Sequence, residues 1–222
     1  MQTASFNSSG ATITVPPGIA LRPVVDGWTD LSISDLSPVG DERPARATLR
    51  LEYSESKGLF EVAAFGIDRG DLPFEVSGAL LRTVRVHAIA RDAIFAALPS
   101  WLREIAQLRT LGARGGLRSF AEFDLSGDDA VLLTALVYRI AEISGENPAL
   151  AVAESIGLKQ RTATNWVQRA RTAGFMTDID HGKAARRVAQ AIKPLWNAHL
   201  SEVFTSLKAG EGTASEATHG ND

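Results

Sequence analysis

Gln160, Arg161, Thr164, Asn165 and Gln168 share the outer side of a predicted helix, and together they carry amides, a hydroxyl and a guanidinium. Base edges in the major groove of duplex DNA present donors and acceptors that such groups can pair with. Ala163, Trp166, Val167 and Ala170 fall between them at three- and four-residue spacing and form an apolar stripe on the opposite face. A second short helix precedes this one, with Val152 and Ile156 on one face. Ala153 is small where two helices must cross, Gly157 permits a sharp turn, and Leu158 is an apolar plug for it. Residues 148–174, PALAVAESIGLKQRTATNWVQRARTAG, therefore read as a helix-turn-helix.

The charge around this pattern points to the same partner. From Lys159 to Lys193 there are eight basic residues and two acids, Asp178 and Asp180, a net of +6 within a chain of formal charge −3. Phosphate contacts require such a local concentration of cations. Lys159, Arg169, Arg171, Lys183, Arg186 and Arg187 are the expected phosphate ligands, with Gln160, Arg161, Thr164, Asn165 and Gln168 reading bases. A basic run can also be a solvated face; its coincidence with the turn favours double-stranded DNA.

The elements that must position these residues fall into two parts. Up to residue 76 the chain leans towards strands. Thr12–Val15 is a β-branched run stopped by Pro16-Pro17-Gly18. Residues 48–65 alternate apolar and polar on either side of Ser54–Gly58, which predicts a β-hairpin with a five-residue connection. Trp28, Leu31, Ile33 and Leu36 suggest a strand before it. From Ser77 the pattern becomes helical, with segments over 88–98 and Trp101–Leu111. Gly112, Gly115 and Gly116 then mark a linker over 112–127.

A capping arrangement at Ser126 and Asp129 opens a helix to about Ser144, with Val131, Leu132, Leu136, Ile140 and Ile143 facing inward. Asn147-Pro148 starts the next helix. A last helix over about Lys183–Leu207, kinked at Pro194, carries an apolar stripe that includes Val188, Ile192, Leu195, Trp196, Leu200 and Val203. This stripe predicts a homodimer. The fold class is thus α+β: an N-terminal domain over 1–111 with a small antiparallel sheet and helices, and an all-α helix-turn-helix domain over 128–208. A disordered tail is expected over 209–222.

Other classes find less support. The chain has 222 residues, no Cys and 45 % hydrophobic residues, so it can bury a core but offers no thiolate ligand or nucleophile. No apolar run approaches the roughly 20 residues that span a bilayer, and the N-terminus lacks a signal-peptide pattern. A cytoplasmic protein without membrane contact is expected. His181 and His199 do not pair at helical spacing, His219 sits in the tail, and His87 reads as a partly buried structural residue. Gly112–Gly116 lacks the Gly-Lys-Ser/Thr of a phosphate loop. Asp68, Asp71 and Glu75 read as a turn, and Glu122 and Asp124 as loop acids. No enzyme, metal or cofactor is expected, and nothing in 1–111 marks a ligand.

At RTATNWVQRARTAGFM the sequence resembles the helix-turn-helix segment of regulator-like proteins of actinobacteria and of their phages and plasmids. Arg161-Thr162-Ala163, Trp166-Val167, Ala170-Arg171 and Gly174-Phe175-Met176 carry the resemblance, with Tyr138–Ala141 and Val152–Glu154 upstream. Lys159 stands where a capping serine is usual, and Asn165 where a basic residue is common. The resemblance covers about residues 128–176 and implies sequence-specific DNA binding and transcriptional regulation in a bacterial or mobile-element setting. The alternative is a protein–protein interaction module built from the same helices.

Overall fold

Alternation in Arg46–Ser54 generates the strand at the centre of the fold. Ala47, Leu49 and Leu51 are buried while Thr48, Arg50 and Glu52 are exposed, the period-two signature of a sheet with one covered face. In this computed structural model the described residues are 3–31, 43–113, 127–177 and 179–193, with the backbone alone at 104, 107 and 109–113. The strands are β1 (Ala4–Ser9), β2 (Ile13–Val15), β3 (Ile19–Leu21), β4 (Val24–Asp30), β5 (Arg46–Ser54) and β6 (Leu59–Asp68). The helices are α1 (Gly78–Thr83), α2 (Val86–Ala97), α3 (Ser100–Ala113), α4 (Gly127–Ile143), α5 (Pro148–Ser155), α6 (Gln160–Thr172) and α7 over 182–193. The chain is mixed α/β, with a small antiparallel sheet and several helices.

The sheet runs in the order β1-β4-β5-β6, every pair antiparallel, and β2 pairs with β3 separately. The expected hairpin is β5–β6, joined by residues 55–58. Its register shifts at Arg50/Leu51, because Arg50 faces Ala64 and Leu51 faces Val62; Ala63 is the extra residue of a bulge. Pro16–Gly18 turns β2 into β3. Gly18 has φ +99°, and a Cβ there would lie 2.7 Å from the amide nitrogen of Gly182 at the start of α7. Only glycine lets the hairpin come this close.

The helices stack over the sheet through one continuous apolar core. Leu21, Val25 and Leu51 from the strands, Ile94 from α2, Leu102 and Ile105 from α3 and Leu136 from α4 belong to it. So do Val152 from α5, Val167 from α6 and Ile192 from α7. Helix α3 lies against α5, and α4 against α5, α6 and β6. Residues 112 and 113 of the expected linker are the end of α3, and 114–126 lie outside the described residues. A boundary at 112–127 therefore runs between helices that share a core.

Several expectations change in detail. Helix α4 is not one-sided: every residue from Ala130 to Val137 is buried, because α3, α5, α6 and β6 surround it. His87 is exposed on the first turn of α2 rather than partly buried. Strand β1, ASFNSS, is polar and edge-lying, so it lacks the alternation that reveals a strand. Of the last helix, Val188 and Ile192 are wholly buried in the chain's own core. Ile33, Leu36, Ser126, Pro194 and everything beyond it, including Leu195, Trp196, Leu200 and Val203, lie outside the described residues, as does the tail. Among the described residues, no helix is long and apolar enough to cross a membrane.

Candidate nucleic-acid interface

Helix α5 begins with Asn147, whose side-chain oxygen accepts from the Leu150 amide at 3.1 Å, followed by Pro148 in the first turn. It ends at Ser155 with Ile156 as its C-cap, and Gly157 takes φ +63°. Leu158 can then turn back, its amide donating to the Ala153 carbonyl at 2.9 Å. This bond satisfies a carbonyl that the helix end would otherwise leave bare, and it fixes the direction in which the chain leaves α5. Ala153 is 6 % exposed where α5 meets α6, so its methyl size sets how closely the helices approach.

Helix α6 follows at once. Ala163, Val167 and Ala170 are buried, and Gln160, Arg161, Thr164, Asn165 and Gln168 are all exposed. The five expected base-reading residues thus share a solvent-facing surface, and every exposed residue of α6 is polar. Thr164 donates its hydroxyl to the Gln160 carbonyl at 3.0 Å, which leaves its oxygen as an acceptor. Lys159 precedes the helix in extended conformation and makes no side-chain cap. The positive end of the helix dipole lies beside Gln160 and Arg161, where an anion would be favoured.

Trp166 is only partly buried, packed against Val131, Ala135 and Ala170, and the Arg169 guanidinium sits 4.2 Å from its ring centroid. Its spacing predicts a core residue; in the structure its indole is only partly covered and carries a cation on its open side.

The six expected phosphate ligands, Lys159, Arg169, Arg171, Lys183, Arg186 and Arg187, are all exposed, but their surroundings differ. Arg187 of α7 forms an ion pair with Asp129 in the first turn of α4, which offsets its charge. Arg171 reaches the Tyr138 hydroxyl of α4 instead, at 3.1 Å. Lys183 and Arg186 lie on α7, whose first amide, Gly182, donates to Asp180 at 2.7 Å. Phe175 stacks edge-on against His181, with 4.9 Å between centroids, and so ties the end of α6 to the start of α7.

Tyr138 and Asp129 were not among the candidate site residues. Their partners lie 33 and 58 positions away, and no local pattern announces such pairs. The arrangement suits recognition by hydrogen bonds and charge, and among the described residues no group of three or more His, Asp or Glu is placed to hold a metal ion. Comparison with protein-family models, with curated proteins and with solved structures finds no match to this chain.

Proposed function

We propose that the chain binds double-stranded DNA in a sequence-specific manner through a helix-turn-helix formed by α5 and α6, within an all-α unit completed by α4 and α7. Helix α6 buries alanine and valine on one side and presents Gln160, Arg161, Thr164, Asn165 and Gln168 to solvent on the other, directly after a glycine turn. The N-terminal residues of α6 would meet base edges in the major groove, and the cations of α6 and α7 would set its register on phosphates.

The setting we propose is transcriptional regulation in the cytoplasm of a bacterium or in a mobile element, by a homodimer without enzymatic activity, akin to the regulator-like proteins that residues 128–176 resemble. A dimer would place two reading helices on half-sites about 10 base pairs apart. Selecting bound sequences from a random duplex pool tests the proposal: a recurring, two-fold related motif is expected, and recovery of unselected sequence contradicts specificity. An interaction module would want apolar groups on the exposed side of α6, and its fully exposed residues are all polar.

A further inference from the structure

Arg171 lies in the last turn of α6 and Tyr138 in the middle of α4. The Nη2 group of Arg171 donates to the Tyr138 hydroxyl at 3.1 Å, and the guanidinium carbon stands 5.5 Å from the ring centroid. Among the described residues no carboxylate forms an ion pair with Arg171, in contrast to Arg187 and its partner Asp129. The distinction matters for an anion. A carboxylate positions a guanidinium by cancelling its charge, whereas a neutral phenol positions it and leaves the full charge available.

The phenol contributes more than an anchor. Its oxygen accepts from Arg171, so its own proton must point away from the guanidinium and remains free to be donated. Tyr138 thus offers one donor and Arg171 the unused N–H groups of its fork, on an exposed surface. Two donors of this kind, one charged and one neutral, match adjacent oxygens of a phosphodiester.

We propose that Tyr138 and Arg171 form one phosphate clamp, in which Tyr138 aligns the guanidinium and donates its own hydroxyl proton to the DNA backbone. This rests on the DNA-binding reading and adds a residue of α4 to the interface. Because the contact is to phosphate, the clamp acts alike on every sequence, unlike the base-reading face of α6.

The test uses the full chain and random-sequence duplex DNA, with affinity measured by fluorescence anisotropy across a salt series. Tyr138→Phe keeps the ring and removes only the hydroxyl. It should weaken binding by about three- to tenfold, the worth of one or two hydrogen bonds. Arg171→Ala should weaken binding and lower the salt slope by about one ion. Combined with Arg171→Ala, Tyr138→Phe should cost less than it does in the wild type, because only the phenol's own bond to phosphate is then left to lose, a coupling that a merely structural tyrosine does not produce. Arg171→Lys keeps the charge but loses the fork, and it should lose as much affinity as Tyr138→Phe. Unchanged affinity in Tyr138→Phe overturns the clamp and leaves the DNA reading standing, as does an equal loss with and without Arg171. Failure of the wild-type chain to bind duplex even at low salt overturns both.

Discussion

Arg139 of α4 donates through Nε to the carbonyl oxygen of Pro16, 3.0 Å away, in the turn between β2 and β3. The same guanidinium pairs with Glu142 at 2.5 Å, so a partly buried cation bridges 123 positions of sequence. Together with the packing of α3 on α5, this contact makes the sheet and the helices parts of one core.

The consequence for folding is measurable. A shared core predicts a single cooperative unfolding transition for the whole chain by calorimetry. Ile105→Ala, at a site 1 % exposed, should lower stability by about 2–5 kcal/mol and shift that transition as a unit. Two resolved transitions, with only one moved by Ile105→Ala, would place an independent folding boundary at 112–127.

The turn between α5 and α6 should be intolerant in two different ways. Gly157 has φ +63°, so Gly157→Val should cost at least about 1–2 kcal/mol through backbone strain. Ala153→Leu should cost about 1–3 kcal/mol by overpacking the helix crossing. Asn165→Ala, at an exposed position, should stay within about 0.5 kcal/mol of wild type. Urea denaturation compares the three, and a neutral Gly157→Val would refute the turn geometry.

Tyr53 supplies a pH dependence. Burial pushes its phenol above the ordinary 10.0; Arg139 pulls it down, and Glu142 and Glu55 push it up again. The folded chain therefore holds this proton at pH values where the unfolded chain releases it. That contribution to stability is fully present below 10.0 and is lost as pH rises through the folded value. Tyr53→Phe should flatten the decline in urea midpoint above pH 10.0. An unaltered alkaline decline would show that other groups cause it.

Trp166 should be less critical than a core tryptophan. Its indole is partly exposed beneath Arg169, so Trp166→Ala should cost less than the roughly 3–5 kcal/mol of a fully buried aromatic. Thermal denaturation monitored by circular dichroism should find the variant folded at room temperature; an unfolded variant would mean the indole is a core element.

Much of this fold is written locally. The hairpin of β5 and β6 follows from alternation around Ser54–Gly58, and α5 from Asn147, Pro148 and Gly157, each of which acts within a few residues. The division of α6 into a buried and an exposed face follows from helical period alone. What was not legible depends on distant partners. The burial of α4 on all sides requires four neighbours that periodicity does not name, and β1 is a strand because β4 offers it an edge. Tyr138 belongs with Arg171 only because α4 and α6 cross.

In the proposed function α6 reads bases while flanking cations hold phosphates. Fluorescence anisotropy on a selected duplex and its scrambled counterpart, across a salt series, tests it most directly. Arg161→Ala and Asn165→Ala should each cost roughly 1–3 kcal/mol on the selected site and much less on the scrambled one. Arg169→Ala should weaken both duplexes alike and reduce the salt slope by about one ion. Folded Arg161→Ala and Asn165→Ala proteins that match wild type on both duplexes would rule out base reading by α6 and leave it an ordinary solvated helix.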